Sequence, residues 1–305
     1  MGAPSGRPLR QDRVRDHCRV PPSPVITKQE PVTRFSIVRE SLAMSRKPQT
    51  PLSLTGDRKN FLAMFDVSRE TIARLDRFVE LLLAWQRRIN LISPSTISSL
   101  WTRHVADSLQ LLQLVETPAL AAPSHVQGGR EGDVWVDLGS GAGFPGIVIA
   151  CALANVPGAQ VHLIESNMKK ASFLREAVRL TEAPAIVHAA RIETLSPVLG
   201  CVAHYVTARA LAPLPDLFEM IAPFLKKGAK ALLLKGQDLD IELTQATKHW
   251  NIEAESVPSK TSKAGRILIV HTLSKRAPAP SPATGEDGGE ASEPRRHHEE
   301  DSDHV

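Results

Sequence analysis

The segment VWVDLGSGAGFPG at 134–146 constrains this chain more than any other. A mostly apolar run with strand character passes without a linker into Gly139-Ser140-Gly141-Ala142-Gly143, and Phe144-Pro145-Gly146 then opens a helix. Glycines at that density let the backbone take positive φ and let a ligand approach the main chain closely. In a parallel sheet such a turn sits at the carboxyl ends of the strands, beside a helix N-terminus, where open α/β sheets bind their ligands. The rest of the chain must therefore supply further strand–helix units.

It does so from Asp133 onward. Strands are expected at 134–138, 160–164, 186–188, 205–208 and 231–234, with helices beginning near Pro145, Met168, Ile192 and Leu214. Two more strands follow at about 252–257 and 267–272 with no long helix between them. Repeated strand–helix units closed by a strand pair predict an α/β fold on a mostly parallel seven-stranded sheet with an antiparallel end. Upstream, 57–114 reads as helical. Ile72, Leu75, Val79, Leu82 and Leu83 recur at three- and four-residue spacing, and Ser68 is placed as the N-cap. A second amphipathic stretch from about Ile97 to Leu114 puts Trp101, Val105, Leu109 and Leu112 on one face, with Pro94 separating the two.

The ends have another texture. Residues 1–50 are rich in Pro, Arg and Ser without periodicity and read as a disordered basic tail, in which Met44 is a candidate start of translation. Residues 276–305 turn to Pro, Gly, Glu and His and read as a disordered acidic tail. The folded domain is thus expected over 51–275. Because the tails partly cancel, the net charge of +4 says little about it. No apolar run approaches the roughly 18 residues of a membrane-spanning helix, and no secretory signal opens the chain. Cys18, Cys151 and Cys201 are too few and too scattered for a disulfide framework or a zinc site. The expectation is a cytoplasmic, metal-free monomer.

A glycine pattern alone does not choose a ligand, since Gly141, Gly143 and Gly146 also satisfy the spacing of dinucleotide-binding turns. Asp137, at the strand end, would repel a pyrophosphate but favour the ammonium group of S-adenosylmethionine. Pro145 removes a backbone N–H that a phosphate site would use. Glu165, ending the second strand, can accept ribose hydroxyls of either cofactor. These residues favour the methyl donor over a dinucleotide and over a mere tight turn.

Several separated segments then carry a resemblance: RINLIS at 88–93, WTRHVADSL at 101–109, DLGSGAGFPGI at 137–147, ESNMKKASFLREAV at 165–178, RIETL at 191–195, TARALAPL at 207–214 and LLLKGQ at 232–237. In this order, over about 60–275, the chain resembles the glucose-inhibited division protein B family of bacterial small-subunit ribosomal RNA guanine-N7 methyltransferases. The resemblance implies a Rossmann-like class I methyltransferase fold preceded by N-terminal helices. It also implies S-adenosyl-L-methionine as cofactor, and small-subunit (16S) ribosomal RNA or a 30S particle as partner. The family's donor-site pattern carries over to Gly139 and Phe144, to Ile192 and Glu193, and to Arg209, with Ile192 lining the adenine pocket. Glu165 stands where many relatives have Asp, and the two tails lie outside the pattern.

Guanine N7 presents an in-plane lone pair and carries no proton, so methylating it needs no general base. Alignment is what the protein must supply. Arg209, just past an apolar strand, is the candidate for orientation, through the donor carboxylate or an RNA phosphate, against a surface salt bridge. Lys235 sits similarly at a strand end, where an ordinary snorkelling lysine would also sit. His104 and Asp107, three apart, would share a helix face and hydrogen-bond each other, helping to hold Asn90 and the glycine loop or, with Arg103, touching RNA. Lys169, with Lys170, Arg175 and Arg179, gives the following helix a basic side that either tracks the RNA backbone or is simply solvated. Two other readings stand beside the leading one: a dinucleotide-dependent oxidoreductase, and a non-catalytic assembly factor that binds S-adenosylmethionine.

Overall fold

The computed structural model describes residues 52–115 and 132–276. The readings made for the two tails, the Met44 start included, lie outside these residues. Seven strands form one sheet in the order β3-β2-β1-β4-β5-β7-β6. They are β1 (Val134–Leu138), β2 (Gln160–Ile164), β3 (Ala185–His188), β4 (Tyr205–Arg209), β5 (Lys230–Lys235), β6 (Trp250–Pro258) and β7 (Arg266–Lys275). The first five pair in parallel. Strand β7 runs antiparallel to both neighbours, slotted between β5 and the edge strand β6. The Rossmann-like order puts the β1 turn at the centre of the sheet, where the strand order reverses.

Period-two alternation splits the core into two layers. Trp135, Val161, Leu163, Leu232 and Ile267 face one layer, and Val136, Leu138, Ile164, Val206 and Leu233 the other. On the second face lie α5 (Ile192–Leu199), α6 (Leu214–Leu225) and α7 (Leu239–Ala246). The first face carries α3 (Gly146–Leu153) and α4 (Met168–Thr181), which in turn support α1 (Leu52–Met64) and α2 (Arg69–Gln86). Helix α3 is buried along its whole length, as its uniformly apolar GIVIACAL requires. No described helix is long and apolar enough to cross a membrane.

The helical N-terminal segment holds the larger departures from sequence expectation. Helix α1 begins at Leu52, ahead of the expected Asp57, and anchors itself with the buried Leu54 and Phe61. Ser68 does cap α2, its side chain accepting from Thr71 N at 3.2 Å. The break after α2 is organised by Gln86, whose Oε1 accepts from Leu91 N and Ile92 N, both at 3.0 Å, while its Nε2 donates to the Ile92 carbonyl at 2.8 Å. Pro94 instead opens the next stretch, within a 3₁₀ turn (Pro94–Ser99). That stretch is not one regular α-helix. A π-helical turn (Trp101–Ala106) follows, then one α turn (Asp107–Leu109) and a 3₁₀ turn (Gln110–Leu114). Asp57 of α1 starts it, accepting from Trp101 N at 2.6 Å and from the Thr102 hydroxyl. The expected face is nonetheless buried: Trp101, Val105, Leu109 and Leu112 are each at most 2% exposed. Helix α7 was absent from the sequence reading, because LDIELTQA is short and buries only Leu239 and Ala246.

Helix α2 reaches the glycine loop through one ring. Phe78, fully buried, packs edge-on to Phe144 with centroids 5.3 Å apart and lies 6.3 Å from Phe173 of α4. Truncation there empties a site that neither sheet nor helix can refill. Phe78→Ala should cost about 3–5 kcal/mol of stability, read as a lower urea midpoint, with the sheet signature in far-ultraviolet circular dichroism retained.

Candidate active site

The loop after β1 is held from below. Gly139, Gly141 and Gly143 take φ of 64°, 52° and 87°, a region that costs any other residue energy. Beneath them Asp137 is 1% exposed; its Oδ1 accepts from Thr207 Oγ1 at 2.8 Å and its Oδ2 from Gly146 N at 3.2 Å. A Cβ on Gly146 would lie 2.6 Å from that Oδ2, so only glycine lets α3 start against β1. Burial pushes the Asp137 carboxyl up to about 6, despite the hydrogen bonds from Thr207, Ser140 and Gly146 that oppose the shift. From the side, Glu165 accepts Gly141 N at 2.9 Å through Oε2 and Asn167 N at 2.7 Å through Oε1.

Two clefts open along the carboxyl edge of the sheet. The smaller, about 290 Å³, is lined by Gly139, Gly141, Glu165, Lys170, Ile192 and Glu193. The larger, about 580 Å³, is lined by Arg103, Asp107, Arg209, Lys235, Ser259 and Arg266. Ala210 and Leu211 belong to both and form the wall between them. Ala210 takes a positive φ of 49°, which turns the chain sharply after β4. A Cβ on Gly139 would stand 2.5 Å from Leu211 Cδ1, so the leucine would have to move aside, and the φ of 64° already favours glycine there.

Nine sequence-selected residues thus gather in two groups, Gly139, Gly141, Glu165, Ile192 and Glu193 in one, Arg103, Asp107, Arg209 and Lys235 in the other. Asp137 and Gly143 line neither cleft, and Asp137 faces α3 rather than any opening. Phe144, 7% exposed, is turned toward the helical segment. Lys169 is exposed, and its neighbour Lys170 lines the smaller cleft instead. The cap explains the offset: Asn167 accepts from Lys169 N and Lys170 N, which sets the first turn of α4 so that Lys170 faces the loop. Arg179, further along, pairs with Glu176 at 2.6 Å.

The helical segment meets the site through Phe144. The His104 ring lies 4.9 Å from it, and the Arg209 guanidinium sits 6.0 Å over its face. His104 Nε2 shares a hydrogen bond with Thr96 Oγ1 at 2.9 Å, and burial, then the Arg209 and Arg103 charges, lowers its pKa to about 3. It is a neutral packing residue. The expected His104–Asp107 hydrogen bond does not form, because the π turn widens the helix and residues three apart no longer face each other. Asp107 Oδ1 instead accepts from Gln110 Nε2 at 2.6 Å and Thr261 Oγ1 at 2.7 Å. Asn90 is exposed and its side chain accepts from Gln86 Nε2 at 3.4 Å rather than holding the loop.

Arg209 donates through Nη2 to the Arg103 carbonyl at 3.0 Å, while its buried Nη1 has no hydrogen-bond partner among the described residues. Burial lowers its pKa, with Asp107 opposing and Arg103 adding; a guanidinium stays charged regardless. Lys235 is neutralised by Glu242, Nζ to Oε2 at 2.6 Å, and the same oxygen accepts Leu214 N at 2.7 Å to cap α6. Its charge is spent on structure. The β6–β7 turn, which lines the larger cleft through Ser259, Ser262 and Gly265, was not singled out from sequence, and its only signal is the run SKTSKAGR.

The buried Asp137 carboxyl makes a signed prediction. Its folded pKa lies above the ordinary 3.8, so the folded state holds its proton longer than the unfolded state, and the stability tied to that group falls as pH rises from about 4 to about 6. The stability difference between wild type and Asp137→Asn, from urea titrations at stepped pH, should shift against wild type across that window and flatten above it.

Set against known proteins, the sequence model of the rRNA small subunit methyltransferase G family (GidB) matches residues 71–268. Ribosomal RNA small subunit methyltransferase G of Bradyrhizobium sp. (strain ORS 278) is 50% identical over 224 residues, which cover 73% of this chain and 95% of that protein. The proteins of the same name from Nitrobacter hamburgensis and Rhodopseudomonas palustris (strain BisB18) are each 48% identical, covering 79% of this chain and 87% and 98% of theirs. The matched span contains both clefts, the loop between them and the π turn that closes over it, and the chain belongs to the rRNA small subunit methyltransferase G family.

Proposed function

We propose that this protein transfers the methyl group of S-adenosylmethionine to N7 of a guanine in small-subunit ribosomal RNA. One observation carries the reading: two clefts of different chemistry share the single wall Ala210–Leu211. The smaller suits an adenosyl donor. Glu165 spends one acceptor site of Oε2 on the loop at Gly141 N and one of Oε1 on Asn167 N at the start of α4, and each oxygen keeps another for a ribose hydroxyl. Ile192, 9% exposed, offers an apolar surface to a base, and the left-handed Gly139 and Gly141 leave the main chain open to approach. Asp137 then acts by keeping the loop in place. The relatives' names support small-subunit ribosomal RNA as the substrate.

When bound, S-adenosylmethionine supplies an electrophilic methyl group on sulfonium. Across the wall, Arg209 orients the acceptor. Its guanidinium borders the cleft, and its Nη1, buried and without a partner among the described residues, gains one when the side chain swings toward an acceptor such as the O6 edge of the base or an adjacent phosphate oxygen. No side chain needs to remove a proton from N7, and His104, the nearby imidazole, is neutral, buried and committed to Thr96. Alignment accounts for the catalysis.

The test is incubation with undermethylated small subunits and donor labelled in the methyl group. Label at a guanine N7, mapped by nucleotide digestion, is the expected result. Donor binding without label would favour the assembly-factor reading, and binding of NAD in place of the donor would favour the oxidoreductase. In the same assay Gly139→Val should abolish donor binding, through φ strain and collision with Leu211, while the helical segment stays folded by circular dichroism.

A further inference from the structure

The β6–β7 turn, Ser259–Arg266, reads SKTSKAGR: three basic residues, three hydroxyls and no acid. Turns of this kind usually run loose over a surface. This one is fastened. Ser259 Oγ and Thr261 Oγ1 donate to Asp107 Oδ1 at 3.2 and 2.7 Å. Gln110 donates to Ser259 Oγ at 3.1 Å and accepts Lys260 N at 2.9 Å, and within the turn Ser259 N bonds the Gly265 carbonyl at 2.9 Å. The fastened turn lines the larger cleft beside Arg103 and Arg209; Lys260 is tied back through its Nζ to Gln113 Oε1 at 2.5 Å, while Lys263, next to the lining Ser262, is exposed.

We propose that this turn is a preorganised clamp for the RNA phosphates flanking the methylated base, and that Asp107 is the positioning residue that latches it to the helical segment. A base unstacked into the larger cleft brings its two phosphodiesters to the cleft's lip. With Ser259 and Thr261 committed to Asp107, the fixed turn presents Lys263 and Ser262 to them without first having to be ordered. Fastening the turn from the π-turn region makes the helical segment a part of the acceptor site, which explains why a carboxylate stands at 107 with its Oδ1 shared among three donors. The inference rests on the RNA-methylating reading above.

The experiment measures binding of undermethylated small subunits as a function of salt, donor binding by calorimetry, and methyl transfer, for wild type, Lys263→Ala, Asp107→Ala and Asp107→Asn. Lys263 is exposed, so its variant folds. Losing one phosphate contact should lower the slope of log affinity against log salt by about one in Lys263→Ala. Asp107→Ala should raise the KM for subunits about tenfold or more, as a preorganised contact is lost, with donor affinity and kcat unchanged. Asp107→Asn keeps an oxygen for the two hydroxyls and should recover most of that loss. An unchanged salt slope in Lys263→Ala overturns the clamp, as does a fall in donor affinity that parallels the KM in Asp107→Ala, or an Asn variant no better than Ala. A wild type that binds subunits with the expected slope difference yet transfers no methyl group overturns the proposed function and leaves the clamp standing.

Discussion

Two carboxylates at the ends of adjacent parallel strands hold the backbone that everything else is built around. Asp137 takes Gly146 N from below and Glu165 takes Gly141 N from the side. Without them a loop with three left-handed glycines would be an entropic liability. With them it becomes a fixed concave surface. The two are chemically unequal. Asp137 is sealed and its carboxyl pushed up to about 6 by burial, whereas Glu165 borders a cleft. One acid is structural, and the other has acceptor capacity to spare for a ligand.

The same loop couples the sheet to the N-terminal helices. Phe144 turns away from the clefts and is enclosed by Phe78, His104 and the Arg209 guanidinium. His104 can serve there because it is neutral. A charged imidazole among Arg103, Arg209 and an aromatic ring would be expensive, and its pKa near 3 is the measure of that. The π turn around it has a consequence for chemistry: it swings Asp107 away from His104 and toward the β6–β7 turn. The helical segment, remote in sequence from that turn, thereby becomes one wall of the larger cleft.

Much of this was legible in the chain, for identifiable reasons. Strands β1 and β2 fall where the sequence reading placed them because each is an apolar run bounded by acids or glycines. Helices α4 and α5 begin at the expected Met168 and Ile192. Gly139, Gly141, Glu165, Ile192 and Glu193 share a cleft because each follows a parallel strand, and such strand ends converge by topology alone. Less was legible in the helical segment. Periodicity reported which side of 97–114 is buried, but not that the helix is π-wound at its centre, since a local change of pitch preserves the apolar face while rotating the polar one. The partners of His104 and Asp107 were consequently missed; helix α7, whose eight residues bury only two, was missed for its own reason, and with it Glu242, the partner of Lys235.

The sequence by itself determined the glycine loop, the parallel sheet it needs and the buried faces of the helices, because φ preference and hydrophobic period are local properties of the chain. It also placed acids at the strand ends. Only the tertiary structure decided which of those acids is sealed under the loop and which faces a cleft, and that Arg209 lies across the Ala210–Leu211 wall from the glycines. Whether a carboxylate is a support or a binding group depends on what covers it, and its cover comes from parts of the chain that no spacing rule connects.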